Sequence, residues 1–312
     1  MASESEGNKH LDTFVIRHAK CLDDLQWVVK LAAQQGFAPR EKEAECYFSA
    51  GLTPCFYIGE LNGKRIGCIC RVKHGKEVVY GGYEMVDKSY RGRGYGLKLF
   101  DFVEALGDKS DIRMVVVTKL KDYLPKKGYH PEWILKVYQF TASCAMEGLA
   151  SCQLPPSVAQ ILPAIQVDFE KLFAYGEDML GTSQVSKLLL AAWLAHLQKS
   201  SWAAFDNKAN IVGYLVMSDT IPEGYFIAPF FADSAPIARS LLKVAVTLAN
   251  ANNPRHNIEM ITPVDHNPEG VSILESEIGA KAIAERTFMS GKELPIPKHL
   301  SKVFGVAGTS VV

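Results

Sequence analysis

The chain has 312 residues, 48% of them hydrophobic and 22% charged, a globular composition that excludes an intrinsically disordered protein. Its 34 Lys and Arg balance 34 Asp and Glu, so bulk positive charge cannot drive nucleic-acid binding. No stretch approaches about 18 consecutive apolar residues, so no membrane span is read. At roughly 100–200 residues per domain, two domains are expected.

Met1–His10 is polar and lacks the apolar core of a signal peptide, and Gly308–Val312 matches no retention or prenylation signal. A soluble cytoplasmic protein is the expectation. Seven cysteines occur with no C-x-x-C pair, so zinc-site spacing is absent and reduced, mostly buried thiols are expected. Cys68 and Cys70, two apart in an apolar run, share one face if that run is a strand.

In chain order, Phe14–Arg17 reads as a strand. Leu22, Leu25, Val28, Val29 and Ala32 recur at helical spacing before Gly36. A second helical stretch spans about Arg40 to Ala50. Cys55–Glu60 and Arg65–Val72 are strands joined by Asn62-Gly63, a strong hairpin signal. Glu77–Val86 is a third strand, Gly92–Gly96 a glycine-rich turn, and Leu97, Phe100, Val103 and Leu106 a helical stripe. Arg113–Thr118 is a β-branched strand expected to be buried on both faces. Trp133–Phe140 closes this half, and residues 141–156, with Pro155-Pro156, read as a linker.

The order then repeats. Val185, Leu188, Leu189, Ala192 and Trp193 make a helix, and Trp202–Phe205 and Ile211–Met217 flank the Asp206-Asn207 turn. Tyr225–Phe231 is a strand, and Pro236–Ala249 a helix capped by Ser234. Ile258–Thr262, a short helix from Pro268 to Ile278, and Ala282–Met289 complete the half. The expected division is 1–140, a linker 141–156, and 157–312, an internal repeat read from element order.

The sharpest motif is Arg91-Gly92-Arg93-Gly94-Tyr95-Gly96, between a strand and a helix. It lacks the Lys-Ser/Thr of a P-loop and the G-x-G-x-x-G spacing of a dinucleotide turn. It fits R-x-x-G-x-G, filled by Arg91, Gly94 and Gly96. Glycines let backbone N–H groups turn toward a ligand, the helix adds its positive end, and Arg91 and Arg93 add charge. The motif reads either as a pyrophosphate cradle or as a solvated tight turn.

With its strand, hairpin and helix context from Phe14 to about Phe140, this motif resembles the signature of the GNAT superfamily of acyl-CoA N-acyltransferases. The resemblance implies an α/β fold, here two GNAT-like domains in tandem, each a twisted, mostly antiparallel mixed sheet flanked by helices. It implies that Arg91, Gly92, Arg93, Gly94, Tyr95 and Gly96 hold the pyrophosphate of acetyl-CoA or another acyl-CoA. It further implies that the backbone of Met85 and Val86 pairs with the pantetheine arm, with no metal required. The family's tyrosine acid, four residues before a Gly-aromatic pair, is matched imperfectly: Gly128-Tyr129 is present, but Leu124 holds the tyrosine position and Tyr123 comes one residue early. In the second half, Asn267–Glu269 through Gly279 resembles the family's Asn-helix-Gly element. Its strand-to-helix turn, Ala228–Pro236, lacks the glycine pattern and carries Asp233, so that half reads as a degenerate copy.

The expected activity is N-acetyl or acyl transfer to a small amine or amino-acid-like acceptor, by direct attack within a ternary complex. A protonated amine needs a base. Glu84, on the strand face of Val86, is the candidate base, the alternative being an ion pair with a neighbouring Arg or Lys. Tyr123 is the candidate acid, with His130 behind it, and Asp265-His266 are candidate acceptor contacts. Trp193 and Trp202 are expected in the core. Neutral charge disfavours a histone-tail enzyme. The expected partner is the small acceptor, without nucleic acid or membrane, in a monomer or homodimer. Different readings are a non-catalytic acyl-CoA sensor, or an enzyme for hydroxyl acceptors or longer acyl groups.

Overall fold

The computed structural model describes residues 12–74, 78–107, 112–117, 120–180, 184–196, 200–293 and 298–306. The expectations for Met1–His10 and Gly308–Val312, and those touching Glu77 and Thr118, lie outside them. The chain opens with β1 (Phe14–His18), α1 (Leu22–Gln34) and α2 (Glu43–Ser49), followed by an antiparallel meander of β2 (Phe56–Leu61), β3 (Lys64–His74) and β4 (Val78–Val86). Asn62 and Gly63 turn the first corner with φ of 51° and 79°, the left-handed pair a two-residue hairpin loop requires. α3 (Tyr95–Glu104), β5 (Ile112–Val117) and β6 (His130–Thr141) follow.

The second half runs α4 (Ala142–Gly148), β7 (Gln160–Pro163), α5 (Phe169–Leu180), α6 (Gln184–His196), β8 (Ser201–Phe205), β9 (Ile211–Asp219) and β10 (Tyr225–Ala232). It continues with α7 (Ala235–Asn252), β11 (Asn257–Pro263), α8 (Pro268–Ser272), β12 (Lys281–Ser290) and β13 (Val303–Gly305). The expected linker therefore holds a helix. Thr141 caps α4 by accepting from the Cys144 N–H at 3.3 Å, and Ala142 and Ala145 are buried. A Cβ on Gly148 would stand 2.1 Å from the Glu277 carbonyl oxygen, so only glycine allows that approach.

The 13 strands of the described residues form one mixed, mostly antiparallel sheet in the order β1-β2-β3-β4-β5-β12-β6-β11-β10-β9-β8-β7, with β13 on β10. The strands expected to close each half pair with the other half instead. β12 lies between β5 and β6, with Ser290 opposite Arg113 and Arg286 opposite Val117, while β6 lies against β11. Strand periodicity reveals a strand but not its partner, and this crossing could not be read from it. Trp133 of β6 stacks on Phe288 of β12 at 4.1 Å and 7°. On this face a single buried cluster joins Leu25, Phe56 and Val72 of the first half to Leu189 and Val216 of the second. The opposite face holds separate clusters under α3 and under α7.

Three local readings shift. Tyr95, Leu99, Phe100 and Val103 form the buried stripe of α3, whereas Leu97 and Leu106 are each 47% exposed. β5 alternates rather than being buried on both faces, because Arg113, Val115 and Val117 are only half-buried. α5 is not among the expected elements, although Phe169, Leu172 and Phe173 recur at helical spacing. Of the seven thiols, Cys46, Cys68 and Cys70 are buried and Cys21 and Cys144 exposed, and all are free. Cys68 and Cys70 share one core cluster, as their spacing predicts.

Because the crossed strands complete each half with the other, the two halves should unfold together. Urea denaturation followed by tryptophan fluorescence and circular dichroism should give coincident curves with one midpoint. Phe288→Ala should lower stability by about 3–5 kcal/mol while keeping one transition. Two separated transitions would contradict the shared core.

Candidate active site

The site begins where β4 leaves β5. The two strands pair in parallel only at Val79↔Ile112, Tyr80↔Arg113 and Gly81↔Met114. Beyond Gly81 they part. On its other edge β4 stays bonded to β3, but Cys70 faces Gly82 and Cys68 faces Met85, so Tyr83 and Glu84 together oppose Ile69. This is a β-bulge, which bends and twists the strand. Tyr83 takes φ 51°, a left-handed conformation costly for a bulky residue and kept only where surroundings enforce it. The Tyr83 hydroxyl lies 3.3 Å from that of Tyr47, which donates to Glu43 at 2.6 Å. Glu43 in turn pairs with buried Arg40 at 3.6 Å. The guanidinium of Arg40 lies 4.4 Å from the Trp193 ring and 4.9 Å from that of Phe226.

Past β4 the chain makes a short turn capped by Asp87, whose carboxylate accepts the Ser89 N–H at 2.8 Å. Gly92 and Gly94 then adopt φ of 76° and 81°, and a Cβ at either would meet nothing within 4 Å. Gly94 is the residue before α3, and among the described residues no side chain caps that helix. The first-turn N–H groups of a helix have no intrahelical partner. Here they adjoin exposed Arg91, Gly92, Arg93 and Gly94, with Tyr95 buried as the first helical residue. Arg91 Nε donates to the Val86 carbonyl at 3.1 Å and Arg93 Nη2 to the Ser89 carbonyl at 3.3 Å. Those bonds hold both arginines beside an open, positively poled helix end, a geometry suited to a diphosphate.

Between the parted strands lies a cavity of about 280 Å³. Gly82 to Met85 of β4 and Val115 to Val117 of β5 form its walls, with Phe100 and Glu104 of α3 and Tyr129 beside them. Glu84 and Val86 share the face under α3: the place of a Cβ on Gly96 lies 3.8 Å from Glu84 Oε1 and 3.7 Å from Val86 Cγ2. Glu84 is exposed on the cleft side, while the cavity walls and α3 crowd its carboxyl. Burial pushes its carboxyl up to about 7. Among the described residues it has no ion pair, so the pairing alternative for Glu84 is not met.

The other candidates fall elsewhere. Tyr123 lies in a turn, 38% exposed and away from the cavity lining. Tyr129 lines the cavity instead, and its hydroxyl donates to Glu104 at 3.0 Å. Gly128, at φ 83°, turns the chain so that Tyr129 rather than Tyr123 faces inward. His130 is exposed at the start of β6. Asp265 accepts the Ile134 N–H at 2.8 Å, which ties down β6, and neither it nor His266 lines the cavity. Trp193 and Trp202 are buried, as expected. Sequence reasoning missed Arg40, Glu43 and Tyr47, of which Glu43 and Tyr47 lie four apart on α2 and Arg40 just precedes it, and it missed the second-half residues Phe226, Glu259 and Arg286. Among the described residues no group of His, Cys, Asp or Glu is placed to hold a metal ion, and no helix is long and apolar enough to cross a membrane.

The second half shows the same parting, closed. β10 pairs with β11 in parallel only at Tyr225↔Ile258 and Phe226↔Glu259. β13 then fills the gap: Phe230 faces Gly305 and Phe231 faces Val303, while the Val306 N–H donates to the Ile261 carbonyl at 2.9 Å. At the turn before α7, Asp233 accepts from Lys302 at 3.0 Å and from the Tyr175 hydroxyl at 3.2 Å. A carboxylate thus sits at the place corresponding to the first half's arginines.

The raised Glu84 carboxyl gives a signed expectation. Unfolded, it ionises near its ordinary value of 4.5; folded, near 7. Between those values the folded state holds the extra proton. The stability Glu84 contributes is therefore full below pH 4.5 and is lost as pH rises through about 7. Relative to Glu84→Gln, the wild type should lose unfolding free energy across that window, as read by urea titrations at a series of pH values. A flat difference would remove the shift.

Residues 22–130 match the family model described as the acetyltransferase (GNAT) family. A search of the curated proteins finds no match. Among solved structures, a candidate acetyltransferase from Pyrococcus horikoshii superposes with a TM-score of 0.70 at 16% identity, covering 99% of this chain and 100% of that one. A tandem GNAT protein from the clavulanic acid biosynthesis pathway gives 0.62 at 14%, covering 91% and 100%. A GCN5-related N-acetyltransferase from Sphaerobacter thermophilus gives 0.52 at 13%, covering 91% and 98%. Residues 22–130 thus match the GNAT acetyltransferase family model, and the chain as a whole shares the fold of a tandem GNAT protein.

Proposed function

We propose that the protein is an acyl-CoA-dependent N-acyltransferase with one working site, in the first half, and a small amine as acceptor. The observation that carries this reading is the open parting of β4 and β5 beside the Gly92–Gly96 turn, set against the same parting in the second half, which β13 fills. The second half shows that such a parting accepts an extended chain on the β10 edge. In the first half the corresponding edge of β4 faces the cavity, where an amide-bearing arm could pair with Met85 and Val86. Glycines without a Cβ neighbour at 92 and 94 fit a diphosphate at the turn. A small cavity suits a small acceptor rather than a protein tail. The two halves form one sheet within a single chain, an arrangement compatible with a monomer or a homodimer.

Acyl-CoA, when bound, supplies an activated acyl group on a thioester. The chain's own residues then have separable tasks. Arg91, Arg93 and the N–H groups around Gly94 and Gly96 hold the diphosphate. The backbone of Met85 and Val86 orients the arm and offers N–H donors to the acyl oxygen. Glu84, ionised above about pH 7, takes the proton from the acceptor ammonium. Tyr123, outside the cavity, is not needed in this scheme. An acyl-CoA sensor is the second reading, favoured by the lack of a matched tyrosine acid in the cavity.

Calorimetry with CoA should give one site per chain. Arg91→Ala should weaken it by about 10- to 100-fold, the worth of a charge-assisted hydrogen bond. With acetyl-CoA and an amine panel, kcat/KM should rise with pH through about 7. Glu84→Gln should abolish that limb and cost roughly 10²- to 10⁴-fold in kcat. CoA binding without turnover on any amine would favour the sensor, and no CoA binding would remove both readings.

A further inference from the structure

The cavity extends past Glu84 to a far end built from both halves. Phe37 and Arg40 of the first half meet Phe226, Glu259, Ala284 and Arg286 of the second. We propose that this far end is the acceptor pocket, and that Arg286, delivered by the crossed strand β12, selects amines that carry a carboxylate. The proposal rests on the acyltransfer reading and names its substrate class.

The register of the sheet puts Arg286 there. It stands opposite Val117 on β5 and Leu135 on β6, so β12 carries it along the strand that forms one wall of the cavity. Its Nη1 donates to the Glu285 carbonyl at 3.0 Å, and its guanidinium lies 5.8 Å from the Phe37 ring centroid. Its Nε is buried and meets no acceptor among the described residues. A buried donor without an acceptor is costly and calls for a ligand or water oxygen. Arg40 is already engaged, by Glu43, by the Ala228 carbonyl at 3.2 Å and by two aromatic rings. Glu259 Oε1 accepts from Gln139 at 3.0 Å, and its charge also acts on Arg286 without a direct ion pair among the described residues. Unlike Arg40, Arg286 has no ion pair among the described residues and keeps a donor without an acceptor, and a guanidinium matches a carboxylate through paired N–H groups. Phe226, Ile261 and Ala284 offer an apolar wall for the body of such an acceptor. Glu84 lines the same cavity and would take the amine proton.

The test uses the full-length protein and a panel of small amino acids, each with its carboxamide and its decarboxylated amine, read by calorimetry and thermal shift. Some acids in the panel should bind at least about tenfold more tightly than their carboxamides, the usual worth of one charge-assisted hydrogen bond. Arg286→Gln should erase that difference while leaving the CoA dissociation constant within about twofold, and Arg286→Lys should keep part of it. Should the Gln variant not fold, the wild-type comparison and the Lys variant still decide. Equal binding of acids and carboxamides, binding of no acid at all, or discrimination retained in Arg286→Gln would overturn the proposal. Acid binding needs no turnover, so absence of CoA binding in the wild type would sink the acyltransfer reading alone and remain distinguishable.

Discussion

Everything at the candidate site follows from a ladder that stops early. β4 and β5 share three residue pairs and then diverge, which leaves a strand edge inside the protein with backbone groups to satisfy. Backbone N–H and C=O groups outside a ladder are paired by water or by an added chain, so such an edge can accept an extended occupant. The second half meets the demand with its own chain: β13 lies on β10, the Val306 N–H reaches β11, and the Thr262 hydroxyl donates to the Phe304 carbonyl at 2.8 Å. The first half offers no such strand among the described residues, and its edge opens on the cavity and on a glycine turn without side-chain cover. Similar elements thus yield an open cleft in one half and a sealed one in the other.

The crossing of β6 and β12 makes the halves inseparable. With β12 between β5 and β6, the strand next to β5, itself one wall of the first-half cleft, belongs to the second half. The stacked Trp133 and Phe288 lie at this seam, inside the cluster that both halves share. The cavity inherits the arrangement, because one wall is a first-half strand and the residues beyond it come from β10, β11 and β12.

The readable parts of the chain were those whose signal is local. Asn62-Gly63 announced its hairpin because only certain residues tolerate its backbone angles. Arg91 to Gly96 announced the glycine turn before α3 for the same reason, and period-two alternation put Glu84 on the face of Val86. Phase was harder. Leu97 and Leu106 suit the α3 stripe as well by composition as Tyr95 and Leu99, and only the packing on β2 and β3 decides between them. Tyr123 and Tyr129 differ by the turn at Gly128, whose left-handed φ redirects the chain. Arg40, Glu43 and Arg286 were illegible as site residues, because their meaning depends on partners from distant segments, such as Ala228 for Arg40 and Val117 for Arg286.

These distant contacts bear on the chemistry. Glu84 owes its position to the bulge it shares with Tyr83, and Tyr83 holds a strained backbone angle. That angle is braced through Tyr47, Glu43 and Arg40, and Arg40 is wedged between Trp193 and Phe226 of the second half. A strained residue persists only when its surroundings over-determine it. The half whose own cleft is filled by β13 therefore still serves the open one: its aromatic residues steady the chain of contacts that aims the candidate base. This explains why a copy without a cradle can remain necessary to the fold, and why its removal would disturb β4 as well as the far wall of the cavity.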